Sequence, residues 1–203
     1  MKRSPLHSLV LAATTFFLLN CSSDSSLPMT NSQSNAVTKA ISYSTVTVVD
    51  NSLEVGSDSG LSAANFITVN LTKSRDCDGG GTLKVSGTQA GVVNTTIDGV
   101  TDAQVKFTNC VVEVSSTQTI TLNGTLDIDG SIDLAASEED GVTGDGSVSY
   151  TGSLEMTGDG LEKEGTCDVD LTTVADGQGL SVDLISTGDL CGNTIDYTWT
   201  LDL

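Results

Sequence analysis

The chain has 203 residues, of which 27 are Asp or Glu, 8 are Lys or Arg and one is His, and its formal charge is −19. Affinity for nucleic acid depends on Lys and Arg neutralising phosphates, so this charge excludes a basic nucleic-acid binder. The apolar residues, 37% of the chain, are concentrated in alternating runs. This arrangement favours a domain that buries one face of a sheet over a disordered chain.

The first 20 residues have the organisation of an export signal. Lys2 and Arg3 precede an apolar stretch from Leu9 to Leu19. This stretch is about half the length of a membrane-spanning helix, so a cleaved signal peptide over residues 1–20 is favoured over a permanent helical anchor.

The residues at the end of this signal carry a family resemblance. The run Leu18-Leu19-Asn20-Cys21 resembles the lipobox of bacterial lipoproteins. The resemblance implies that Cys21 becomes the mature N-terminus and carries lipid, with palmitate-type acyl chains. Because Ser22 follows the cysteine where an inner-membrane lipoprotein commonly has Asp, it also implies an outer-membrane location. The alternative is an ordinary secretory signal followed by an incidental cysteine.

Removal of the signal has a chemical consequence. His7 is the only histidine of the chain, and it lies in the predicted signal peptide. The mature chain therefore has no histidine. This excludes Ser-His triads, His-bound zinc and acid–base catalysis by imidazole.

Residues 21–40 are predicted to be a lipidated cysteine followed by a flexible tether. The stretch 22–40 is rich in Ser, Asn and Thr, contains Pro28, and shows neither a period of 2 nor a period of 3.6. As a coil it would reach on the order of 25 Å, enough to hold a domain away from lipid headgroups.

Residues 41–203 are predicted to be a single β domain, because period-2 alternation dominates them and no helix is indicated. The longest run has apolar residues or glycine at the even positions from Ile120 to Leu134 and polar residues between them. We therefore expect an all-β, mostly antiparallel meander of about ten strands forming a sandwich, a barrel or a half-barrel. The runs begin or centre at Val46, Ile67, Leu83, Val93, Ala103, Ile120, Val148, Cys167, Leu180 and Ile195.

The alternation also predicts a register for one hairpin. If residues 137–146 form the turn, Leu134 lies opposite Val148. Glycines then face each other across the apolar side and leave two gaps, at Gly130 with Gly152 and at Gly124 with Gly158. The gaps indicate either sharp curvature of the sheet or a groove for an acyl chain or another apolar ligand.

Four cysteines remain once Cys21 is assigned to lipid: Cys77, Cys110, Cys167 and Cys191. An even number in an exported protein indicates disulfides, for which three connectivities exist. We predict Cys77 with Cys110, and Cys167 with Cys191 across a hairpin that turns around residues 176–179. A four-thiolate zinc site is the weaker alternative, because the chain has no C-x-x-C motif.

The sequence predicts no metal, no cofactor and no catalytic residue. Asp/Gly-rich stretches at residues 76–81 and 140–146 leave calcium as a weak alternative, because Ca²⁺ prefers such oxygen ligands. The aspartates between Asp127 and Asp133 lie on the solvent face of a predicted strand. No acidic residue stands at an inward position of the strong strands, so no carboxylate pair for hydrolysis can be assigned.

These observations favour a lipid-anchored protein of the cell envelope with a non-catalytic structural or binding role. Its β domain resembles those of lipoproteins of unassigned function. The expected partner is the membrane, through the lipid anchor, together with a protein, glycan or lipid that the sequence does not identify. The first alternative is a periplasmic carrier that holds a lipid or another apolar ligand in a concave sheet, and the second is a carboxylate-based enzyme.

Overall fold

The computed structural model of the protein describes residues 26–58, 65–93, 96–137, 141–179 and 181–202. In this part of the chain one helix is followed by eight strands. Their bounds are α1 (Asn31–Asp58), β1 (Asn65–Asp76), β2 (Thr82–Val93), β3 (Thr96–Ser115), β4 (Gln118–Ser137), β5 (Gly141–Thr157), β6 (Gly165–Gly179), β7 (Ser181–Leu190) and β8 (Asn193–Asp202).

The strands form one open antiparallel sheet in the order β1 to β8, in which each strand pairs with its neighbours in the chain. The prediction of an all-β antiparallel meander is confirmed. The number of strands is eight rather than about ten, because the run at Val46 and Val48 belongs to α1 and the run from Val93 to Ile97 spans the β2–β3 connection. The sandwich and the closed barrel are not confirmed.

The predicted alternation corresponds to burial along the strands. In β4, Leu122, Leu126 and Ile128 are buried, whereas Thr125 and Asp127 between them are exposed. Successive side chains of a strand point to opposite faces, so each strand contributes one apolar row to the core and one polar row to solvent.

The helix is the main departure from the predicted organisation. α1 begins at Asn31, so the predicted tether is helical from that residue, and the predicted domain boundary at residue 40 lies inside the helix. Val37 and Ile41, one helical turn apart, are fully buried in the main core. Ser, Thr and Asn have weak helix propensity, so packing against the sheet stabilises this helix rather than local preference.

The sheet is curved, so that both edge strands approach one side chain of α1. Tyr43 accepts a hydrogen bond from Nη1 of Arg75 in β1 at 3.2 Å, and its ring centroid lies 6.0 Å from that of Trp199 in β8. In a flat sheet the first and eighth strands would be about 34 Å apart, at about 4.8 Å per strand. α1 therefore lies at the opening between β1 and β8.

The β4–β5 hairpin has a different register from the predicted one. β5 begins at Gly141, so residues 141–146 belong to a strand instead of a turn. Tyr150 pairs with Ile128 where the prediction had Ile132. A shift by an even number of residues leaves every side chain on its predicted face, which is why alternation alone could not detect it.

Candidate functional site

The glycines of the predicted groove do not face each other. Each of three glycines faces a bulky apolar residue: Gly124 faces Leu154, Gly130 faces Val148, and Gly152 faces Leu126. A Cβ atom on Gly130 would lie 2.7 Å from Cα of Val148, and one on Gly124 would lie 3.0 Å from Cδ2 of Leu154. The opposite strand fills this space, so the prediction of paired gaps was wrong.

Gly158 follows the end of β5, and there too a neighbouring strand comes close. A Cβ atom on Gly158 would lie 3.1 Å from Cα of Ile120. The four glycines therefore allow strands to approach closely in a curved sheet, which is the structural explanation that the sequence left open beside the groove.

Both predicted disulfides are present. Cys77 is bonded to Cys110, and Cys167 is bonded to Cys191. The second bond spans the β6–β7 hairpin, although residues 176–179, predicted as its turn, are the end of β6. Cys21 and the predicted signal lie outside the described residues.

A β-bulge places Cys110 for its bond. Phe107 pairs with Gly124 and Cys110 pairs with Leu122, so three steps along β3 match two steps along β4. Asn109 in the bulge has a positive φ of 46°, and its N–H donates to Oδ1 of Asn123 at 2.7 Å. The extra residue keeps both Phe107 and Cys110 on the buried face.

The segment before α1 is fixed to the sheet. Leu27, which is 2% exposed, donates its N–H to the carbonyl of Cys191 at 3.0 Å and accepts a bond from Nδ2 of Asn193 at 3.0 Å. The N–H of Thr30 donates to Oε1 of Gln33 at 2.7 Å, and the N–H of Gln33 donates to Oγ1 of Thr30 at 3.3 Å. This reciprocal pair is a capping box, and the spacing Thr-x-x-Gln is a local sequence signal for a helix that begins here.

The buried face of α1 carries hydroxyl groups into an apolar core. Oγ of Ser42 donates to the carbonyl of Thr38 at 2.8 Å, and Oγ of Ser44 donates to that of Ile41 at 2.7 Å. The hydroxyl of Thr38 is buried and has no hydrogen-bond partner in the described structure. The packing of α1 against the sheet therefore leaves the hydroxyl of Thr38 unsatisfied among the described residues, which lowers stability.

Four side chains form an alternating aromatic and cationic cluster between the edge strands. Nζ of Lys39 lies 5.2 Å from the ring centroid of Trp199, and Cζ of Arg75 lies 5.3 Å from that of Tyr43. The indole Nε1 of Trp199 donates to Oγ of Ser42 at 3.1 Å. Cation–π contacts and ring stacking therefore join α1 to β1 and β8, which are the two edge strands of the described sheet.

Next to this cluster lies a cavity of about 390 Å³. Its apolar part includes Leu83, Val112 and the Cys77–Cys110 disulfide, and Ala36 and Ala40 of α1 leave the space open. Its charged part is Lys39, Arg75, Asp76, Asp78 and Glu113. This volume lies within the range of small-molecule pockets, so the cavity could hold one small ligand with an apolar body and a polar end.

The buried polar side chains of the described residues are neutral. Besides the buried rings of Tyr150 and Trp199, they are one amide and six hydroxyls: Gln33, Ser34, Thr38, Ser42, Ser44, Thr173 and Ser186. Within the described ranges no group of three or more Asp, Glu, Cys or His side chains is placed to hold a metal ion. The interior therefore offers hydrogen-bonding groups rather than charges.

No helix in the described part of the chain is both long and apolar enough to cross a bilayer. Comparison with protein-family models, with curated proteins and with solved structures found no match for this chain.

Proposed function

We propose that this chain is a lipid-anchored protein of the bacterial outer membrane, whose β domain has a non-catalytic structural or binding role. The observation that carries the proposal is the position of Cys21. It lies two positions after the end of the apolar signal stretch at Leu19, and it precedes Leu27, the first described residue packed into the core, by six positions. The two disulfides support export, because such bonds persist in oxidising compartments.

Lipidation is tested by expressing the full chain in a Gram-negative bacterium supplied with an alkyne analogue of palmitate. We expect Cys21 to be labelled and the protein to sediment with membranes, whereas the Cys21→Ser variant is unlabelled. Ser22→Asp is the matched control for destination, and it should move the labelled protein to the inner membrane. A label that survives Cys21→Ser, or no label at all, contradicts the proposal.

A second candidate function is a carrier of a lipid or another apolar ligand, and the cavity beside Tyr43 and Trp199 favours it. At the glycines that were predicted to line a groove, the neighbouring strand fills the space. The cavity beside Tyr43 and Trp199, by contrast, is large enough for a small ligand. A curved open sheet with a helix packed on it suits this function, because it leaves a space between the helix and the edges of the sheet.

Native mass spectrometry of the unlipidated mature protein, residues 22–203 exported behind a cleavable secretory signal, tests the carrier function. We expect a bound mass that is lost when Ala40→Phe fills the cavity and is retained in Ser32→Phe, which adds the same side chain at an exposed position of α1. A bare mass in the parent protein, or equal retention in both variants, contradicts the carrier function.

A further inference from the structure

The connections at one end of the sheet form a single surface. In an antiparallel meander alternate connections lie at the same end. Residues 77–81, 116–117, 158–164 and 191–192 therefore share one end, named here the tether end. Both disulfides have a cysteine in one of these connections, at Cys77 and at Cys191.

The N-terminal segment is bonded to this same end. Leu27 exchanges hydrogen bonds with Cys191 and Asn193. One turn into α1, Nε2 of Gln33 donates to the carbonyl of Gly160 at 2.6 Å, in the connection 158–164. The path between the lipid anchor and the domain therefore ends at Leu27 rather than at residue 40.

This path is short compared with the domain. Five residues separate Cys21 from Leu27, and at full extension the chain between them spans about 20 Å. The 17 residues of β5 extend over about 55 Å. A tether of this length cannot pass along the domain to bring the opposite end of the sheet to the membrane.

We infer that the tether end faces the phospholipid bilayer and stays within about 20 Å of its headgroups. The inference rests on the proposed lipidation of Cys21. It also places part of the cavity lining close to the bilayer, because Asp76, Cys77 and Asp78 lie at this end.

The charge of the tether end indicates that the lipid anchor, rather than electrostatic attraction to the headgroups, holds this end near the bilayer. Asp159, Glu162, Lys163 and Glu164 of the connection 158–164 are all exposed. Three carboxylates against one ammonium group are repelled by anionic lipid headgroups. The unlipidated mature protein, residues 22–203 without the signal segment, is therefore expected not to bind vesicles of phosphatidylethanolamine and phosphatidylglycerol, at low or at high salt.

Energy transfer from two labelled positions tests the orientation. The lipidated full-length protein is reconstituted in these vesicles with an acceptor dye on the headgroups, after mass spectrometry has shown the lipid on Cys21. An azido amino acid, used so that no cysteine is added, carries the donor dye at Glu162 in the tether end. In a second variant it carries the donor at Asp145, an exposed residue of β5 that pairs with Asp133 near the opposite end.

We expect strong transfer from position 162 and weak transfer from position 145. A Gly-Ser linker of about 20 residues inserted between Ser25 and Ser26 adds about 25 Å of root-mean-square reach and should reduce this difference. Equal transfer in the lipidated, uninserted protein, or stronger transfer from position 145, overturns the orientation alone. An unlipidated Cys21 overturns the proposed function together with the orientation.

Discussion

The ring of Tyr43 in α1 lies 6.0 Å from the ring of Trp199 in β8, with 26° between the ring planes. Because Tyr43 also accepts a hydrogen bond from Arg75 in β1, one residue of the helix joins both edge strands. The described strands β1 and β8 are not paired by a hydrogen-bond ladder. Side-chain contacts through α1 therefore hold the edges of the curved sheet together.

Tyr43→Ala is expected to lower the free energy of unfolding by about 2–3 kcal/mol, because it removes the ring that joins the edges. Tyr43→Phe keeps the ring and loses the bond from Arg75, so it should cost about 1 kcal/mol. Trp199 is the only tryptophan of the chain, and its emission during urea unfolding measures both effects. Equal losses for the two variants would contradict the ring contact.

Thr38→Val is expected to stabilise the protein by about 1 kcal/mol, because it replaces a buried hydroxyl that has no partner among the described residues by a methyl group of similar size. Ser42→Ala is the matched control on the same face of α1. It removes the acceptor of Trp199 Nε1 and should destabilise by about 1–2 kcal/mol. Thermal unfolding distinguishes the two directions, and a destabilised Thr38→Val variant would show that the hydroxyl is satisfied.

Gly130→Ala is expected to destabilise by about 1–3 kcal/mol, since the new Cβ atom would lie 2.7 Å from the backbone of Val148. A Cβ atom added at Gly165 would lie 3.7 Å from Cδ2 of Leu27, which is an ordinary van der Waals contact. Gly165→Ala should therefore change stability by about 0.5 kcal/mol or less. Denaturant midpoints compare the two, and a neutral Gly130→Ala variant would contradict the close approach of β4 and β5.

Replacing either disulfide by two alanines is expected to cost about 3–4 kcal/mol in the chain-entropy treatment of loop closure. The two variants should differ in the part of the structure that becomes less stable. Only removal of Cys167–Cys191 loosens the carbonyl that holds Leu27, so only this variant should show faster amide hydrogen exchange at Leu27. Equal exchange in both variants would mean that the N-terminal segment is fixed by other contacts.

The composition of α1 explains why hydrophobic periodicity does not indicate a helix in this segment. From Asn31 to Ser44, where the side chains are described, α1 is mostly polar, and the two fully buried apolar residues there, Val37 and Ile41, give only a weak helical period. The capping box at Thr30 and Gln33 was a readable signal. What stabilises the helix, however, is the concave apolar face of the sheet, which no local pattern describes.

The sequence by itself determined the all-β class and the face of the sheet on which the side chains of the strong alternating runs lie. Both follow from period-2 alternation, which is local. For the cysteines it left three connectivities, of which the structure contains the predicted one. The tertiary structure decided the register of β4 with β5, the filled space at the glycines, the curvature that brings Tyr43 to Trp199, and the fixed position of Leu27. Each of these depends on contacts between residues far apart in the chain, and an even shift in register leaves the alternation of the strands unchanged.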